Sequence, residues 1–271
     1  MVDDYAGSEI SVVLDTITQR KSNETVFGML MLGILAGMYI SFGAVAATTV
    51  LSCAETPTVL SKWLAASVFC VGLVLVIVPG SELFTGNILM SAGLVSGKVP
   101  VRRVLRNWVF VYVGNFLGAA LLAFAIKGAA FFGTPDEPTR FADTAIDIAA
   151  AKTALGWSVA FFRGMLCNML VCLAVMLAVA ARTVQGKVLG IYLPIIVFVL
   201  SGFEHSIANM YFIPAGLIAK GAFFSEFFTI FKNLIPVTAG NIFGGILLIL
   251  LHPARARQLL RKLLHKVSRE V

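Results

Sequence analysis

The feature that most narrows what this chain can become is its succession of long apolar runs, near 27–51, 63–95, 107–126, 157–181, 188–218 and 234–251, separated by short polar or charged stretches. About 20 apolar residues cross the hydrocarbon core of a bilayer as a helix, and in lipid every backbone N–H and C=O must be satisfied internally. Six runs therefore predict six membrane helices. Composition agrees: 59% of the residues are apolar and 13% are charged, whereas a soluble domain uses about 25% charge to cover its surface. A soluble globular protein is excluded.

The second and fifth runs are too long for a simple crossing and carry polar residues in their middles, Pro79-Gly80-Ser81-Glu82 and Ser201-Gly202-Phe203-Glu204-His205. Both predict broken helices. The halves of the chain also resemble each other: Gly80, Glu82 and Asn87 recur 122 residues on as Gly202, Glu204 and Asn209. Arg106-Asn107, Gly114-Asn115 and Gly118 recur 126 residues on as Lys232-Asn233, Gly240-Asn241 and Gly244. Each half holds three runs, so the second enters the membrane from the opposite side, which makes the repeat inverted. The expected fold is thus an all-α polytopic membrane protein of two inverted three-helix repeats, its second and fifth helices broken. Broken backbone at that depth is tolerated where it is buried or lines a watery path, and the N-terminal helix ends it exposes attract anions. The Gly-xxx-Gly pairs in the runs indicate tight helix packing.

Three regions follow: an N-terminal segment 1–26, a six-helix domain 27–251, and a basic tail 252–271. In the first, Ile10, Val13, Leu14 and Ile17 share a helical face behind Ser8 as a cap, the pattern of a helix lying along a membrane surface. In the tail, Leu259, Leu260, Leu263 and Leu264 accompany basic residues, as in a segment resting on anionic lipid. The net charge of +7 is spread between the apolar runs rather than along an aromatic-interleaved stripe, so nucleic acid is not an expected partner. Basic residues concentrate on the side of both termini, which predicts cytoplasmic termini in the cell membrane. Asp3, Asp4 and Glu9 precede the first run, so no cleaved signal is expected. Three of the four cysteines lie inside apolar runs and one at an edge, and no metal-ligand spacing occurs, so neither metal nor cofactor is expected.

A charge at the bilayer centre costs about 2.5–3.5 kcal/mol on insertion scales, which singles out Glu82, Glu204 and Arg163. The two glutamates, beside repeat-equivalent breaks, are read as holding the broken loops by accepting hydrogen bonds, with Asn87 and Asn209 alongside them. Arg163 is placed near the outer end of the fourth run, its stem reaching toward water. His205 is the one histidine inside a run, at a break facing the expected path, and its ordinary pKa lies near physiological pH. An intramembrane enzyme using Glu204 and His205 lacks a nucleophile or a metal motif to work with, so no catalysis is expected.

Four stretches then point to a family: Gly80-Ser81-Glu82-Leu83-Phe84-Thr85-Gly86-Asn87, Asn168-Met169-Leu170-Val171-Cys172-Leu173-Ala174-Val175, Gly202-Phe203-Glu204-His205-Ser206-Ile207-Ala208-Asn209-Met210, and Asn233-Leu234-Ile235-Pro236-Val237-Thr238-Ala239-Gly240-Asn241. In this order, over nearly the whole chain, they closely resemble the formate/nitrite transporter family. The resemblance implies an aquaporin-like protomer, a homopentamer, and passage of formate, nitrite or hydrosulfide or their conjugate acids, formate being the choice made here. A nitrite or hydrosulfide channel of the same family, or a proton-coupled secondary transporter, is the alternative. The resemblance carries the central pore histidine onto His205, a neighbouring threonine onto Thr85, constrictions onto Leu83 and Phe198, further lining onto Phe69, Leu73, Asn168 and Val171, and a vestibule lysine onto Lys152. By the same analogy the N-terminal segment gates the cytoplasmic mouth.

Overall fold

A computed structural model describes residues 7–253 and 255–260, with the side chains of residues 7 and 8 outside the description. The helices are α1 (Gly7–Ser22), α2 (Val26–Ser52), α3 (Val59–Ile77), α4 (Phe84–Asn87), α5 (Ser91–Ser96), α6 (Val101–Gly128), α7 (Arg140–Thr153), α8 (Trp157–Ala180), α9 (Val184–Leu200), α10 (Ser206–Ala219) and α11 (Thr229–Leu251). A 3₁₀ turn over Ile88–Met90 joins α4 to α5. Among the described residues the only β pairing is an isolated bridge between Gly133 and Pro138. Helix starts follow side chains that cap free N–H groups: Thr25 Oγ1 accepts from Gly28, and Thr58 and Ser61 form a reciprocal capping box at α3.

Among the described residues five helices, α2, α3, α6, α8 and α11, are long and apolar enough to cross a membrane. The second apolar run divides into α3 and the short α4–α5 fragment, and the fifth into α9 of 17 residues and α10 of 14. α2 packs on α6 and α3, α8 on α11 and α9, and α10 on α7 and α6. Glycine makes the closest of these approaches possible. A methyl group built on Gly118 would stand 2.0 Å from the Ile34 carbonyl oxygen, and one on Gly244 2.1 Å from that of Met165.

Three features depart from expectation. α7 was not foreseen, because its inward face is built from Phe141, Ala142, Ala145 and Ala149, too few and too small to register as an apolar run. α1 does form where expected, but its apolar face meets protein rather than a membrane surface: Ile10 and Leu14 pack with Leu89, Ala92, Cys172 and Ile249. Arg255 likewise leaves the lipid surface proposed for the basic tail. It is 4% exposed and grips Asp15 of α1 through two nitrogens at 2.6 and 3.2 Å, with Lys98 Nζ 3.1 Å from the same carboxylate. Leu263 and Leu264 lie outside the described residues.

Candidate functional site

Both breaks are closed by the same local device. Gly80 (φ +91°) and Gly202 (φ +65°) occupy the left-handed region that glycine enters without a Cβ penalty. The following N–H groups turn back, Ser81 to the Val76 carbonyl at 2.9 Å and Phe203 to the Phe198 carbonyl at 3.0 Å, a Schellman-type ending. After each break the chain runs extended through Leu83 and His205, the residues just before α4 and α10.

The bonds that hold the extended stretches are matched in the two halves. Asn115 Oδ1 accepts the Phe84 N–H at 2.9 Å, while its Nδ2 donates to the carbonyls of Gly33 and Glu82 at 2.8 and 2.9 Å. Asn241 does the same for the Ser206 N–H at 2.9 Å and the carbonyls of Gly164 and Glu204 at 2.8 and 3.0 Å. Backbone groups freed by the breaks therefore meet one buried amide per half. The glutamate side chains do not take free backbone N–H groups, as the sequence suggested; each binds an asparagine and a lysine instead. Glu82 accepts from Asn87 Nδ2 at 2.6 Å and from Lys21 Nζ at 2.7 Å, and Asn87 Nδ2 also reaches Asn107 Oδ1 at 2.8 Å. Glu204 accepts from Asn209 Nδ2 at 2.6 Å and from Lys152 Nζ at 3.0 and 3.1 Å, and Asn209 Nδ2 reaches Asn233 Oδ1 at 2.7 Å. Each buried carboxylate thus has a cation in contact, the condition under which charge is tolerated at membrane depth.

Lys21 was counted in the sequence only as a topological charge. A signal for it existed: it precedes Lys152 by 131 residues, the same interval that separates Gly33 from Gly164, whose carbonyls receive Asn115 and Asn241. Asn115 and Asn241 were aligned as repeat positions without a role. Their role follows from the breaks, which leave backbone groups that only a donor-acceptor side chain can satisfy together.

His205 sits where the halves meet. Its Nδ1 accepts the Ala208 N–H at 3.1 Å, so the ring serves as the cap of α10, and the ring proton is left on Nε2. Nε2 lies 2.9 Å from Thr85 Oγ1 of α4. The imidazole faces Phe198 with ring centroids 6.0 Å apart, and Phe69 meets Phe198 edge-on at 5.7 Å.

One cavity reaches His205, and others lie on the terminus side, the nearer one lined by Leu83. On the side away from the termini, about 180 Å³ is lined by Phe69, Lys152, Phe198, Glu204, His205 and Asn209 among others. On the terminus side, about 70 Å³ is lined by Leu73, Leu83, Asn87 and four residues of α1, Leu14, Ile17, Thr18 and Lys21. A wider cavity of about 400 Å³ adjoins it. Val171 is buried in the core and does not line these cavities. Nor does Asn168, whose Nδ2 donates to the Asn241 carbonyl at 2.7 Å. Lys152 also stands over the Phe212 ring at 5.3 Å. The Arg163 side chain makes no hydrogen bond or ion pair among the described residues, but its carbonyl accepts the Glu204 N–H at 3.2 Å, which sets it level with the second break.

Two broken helices meet at one imidazole, with a lysine–glutamate pair beside each break and a cavity on either side. The family model described as "Formate/nitrite transporter" matches residues 9–254. A "Probable formate transporter" of Methanothermobacter thermautotrophicus is 41% identical over 86% of this chain and 90% of its own length, and the "Formate channel FocA" of Haemophilus influenzae is 37% identical over 84% and 86%. Among solved structures, an "FNT family ion channel" superposes with a TM-score of 0.78 at 26% identity, covering 88% of this chain and 95% of that one. A "Pentameric formate channel with formate bound" superposes at 0.68 and 33% identity, covering 81% and 92%. A family model that takes in nearly the whole chain, with relatives aligned along most of their own length, leaves one conclusion: this chain is an integral membrane protein of the formate/nitrite transporter family.

Proposed function

We propose that the chain is a channel for small monovalent anions or their conjugate acids, with formate as its substrate. The observation that carries this reading is the buried His205–Thr85 contact with a cavity lined by His205 and Phe198 on one side and a cavity lined by Leu83 on the other. Formate is favoured over nitrite and hydrosulfide because relatives at 41% and 37% identity bear formate in their names. The pentameric relative supports a homopentamer with one path per protomer.

The geometry supports a division of labour. Lys152 and Lys21, each bound to a buried glutamate, keep a positive group at the two approaches and draw the anion in. Between them the apolar rings of Leu83, Phe69 and Phe198 disfavour a bare charge, so passage favours the neutral acid. His205, its Nδ1 occupied by the Ala208 N–H, presents Nε2–H to Thr85 Oγ1, which leaves the Thr85 hydroxyl hydrogen to donate to the solute. His205 therefore acts through a hydrogen-bond chain rather than as a fixed cation, and flux rises as pH falls. α1, in the wall of the terminus-side cavity, closes that mouth. Basic residues gathered on the terminus side support cytoplasmic termini.

The test is parallel flux of formate, nitrite and hydrosulfide across the same proteoliposomes at two pH values. The reading expects formate to pass fastest and all fluxes to rise at the lower pH. Formate exclusion with nitrite or hydrosulfide passage would change the substrate; uphill accumulation in counterflow would replace the channel by a coupled transporter.

A further inference from the structure

The two approaches to the conduit are unlike in charge. Opposite the termini, the 180 Å³ cavity is lined by one cation and one carboxylate, Lys152 and Glu204, bound to each other. On the terminus side, the 400 Å³ cavity is lined by Arg20 and Lys21 of α1 and by Arg182 and Lys187 where α8 passes into α9, against the single carboxylate Glu82. Glu82 is already committed to Lys21 and Asn87. Arg20 and Lys187 make no ion pair among the described residues.

An anion the size of formate needs neither this volume nor this surplus of positive charge, and tight capture at the mouth would retard its passage. Coulomb attraction grows in proportion to ligand charge, so a cluster of cations around one space selects for valence. Arginine and lysine together also supply the donor-rich, acceptor-free lining that suits phosphate oxygens. We propose that this vestibule binds a multivalent phosphate-type anion, of the di- or triphosphate class, which occludes the terminus-side mouth. Its consequence, occlusion, rests on the channel reading above; the binding site itself does not.

The experiment uses the full chain in proteoliposomes, with orientation read from protease access to the C-terminal tail. Formate flux is followed with orthophosphate, pyrophosphate or tripolyphosphate on one side at a time. Block is expected only from the terminus side, with the half-blocking concentration falling at least tenfold from orthophosphate to tripolyphosphate. The combined Arg20→Gln and Lys187→Gln variant, read against its own flux without polyphosphate, should raise the tripolyphosphate half-block at least tenfold. Block that is equal from both sides, insensitive to valence or unchanged in the variant would overturn the proposal. Calorimetric titration of tripolyphosphate into the detergent-solubilised protein separates the two readings. Binding without any formate flux would defeat the channel and leave the site, whereas formate flux without binding would defeat the site and leave the channel.

Discussion

Replacing Asn241 by alanine removes the one side chain that closes the second break. The amide is fully buried and serves three backbone groups: it accepts the Ser206 N–H at 2.9 Å and donates to the Gly164 and Glu204 carbonyls at 2.8 and 3.0 Å. Gly164 lies within α8 and its carbonyl keeps its helical partner, so the Ser206 N–H and the Glu204 carbonyl are left unpaired; at about 1–3 kcal/mol each, two orphans set a ceiling of about 6 kcal/mol. Interhelical hydrogen bonds in membranes average about 0.6 kcal/mol, which sets a floor of about 2 kcal/mol. Asn115→Ala orphans the matching groups, the Phe84 N–H and the Glu82 carbonyl, and should cost the same within about 1 kcal/mol. Asn241→Asp keeps an acceptor for Ser206 but sets a buried, acceptor-only carboxylate against the Gly164 and Glu204 carbonyl oxygens, so it should cost at least as much as alanine. The assay is reversible unfolding in mixed micelles. A loss under about 1 kcal/mol for either alanine variant would refute the account of the breaks, because it would mean that the freed backbone finds other partners.

Gly118→Val should separate α2 from α6, since even a methyl group there would stand 2.0 Å from the Ile34 oxygen; overpacking of this kind costs about 1–3 kcal/mol, while Gly128→Ala, with open space around it, should be neutral in the same unfolding assay. Asp15→Asn should loosen α1. It leaves Arg255 buried beside a neutral amide, a change that costs about 3–5 kcal/mol when a buried pair is broken, and it should be read as faster amide exchange over 9–18 and higher formate flux. Unchanged exchange would show that α1 is held by its other contacts, Lys21 to Glu82 and Arg106 to the Ser22 and Glu24 carbonyls.

Much of the architecture was legible because lipid removes alternatives. Gly80 and Gly202 in overlong apolar runs announce breaks, since a helix interrupted at membrane depth needs a residue that accepts positive φ and a partner for each freed backbone group. The recurrence of Glu82 and Asn87 as Glu204 and Asn209 also marked two buried clusters, and the structure brings each pair within 2.6 Å. What the sequence hid was partnership across distance. Lys21 looks like any basic residue ahead of a membrane helix, and only the folded chain carries it to Glu82. Arg255, likewise, lies in a basic tail whose composition suits lipid, yet a single carboxylate at Asp15 draws it into the protein. Asn168 illustrates a further ambiguity: an amide within an apolar run suits a watery path or an interhelical bond equally, and here it donates to α11. α7 escaped notice because alanines carry its inward face.

The central claim is that solute crosses each protomer past the His205–Thr85 contact, by hydrogen bonding rather than by a fixed charge. Formate flux at two pH values through liposomes carrying the native chain, His205→Asn and Thr85→Val tests it most directly. The account predicts that both variants remain folded, that each loses at least about tenfold in flux, equivalent to about 1.4 kcal/mol in barrier, and that the rise in flux at the lower pH, which comes from protonation of the solute, persists in both. Flux unchanged in His205→Asn would contradict it.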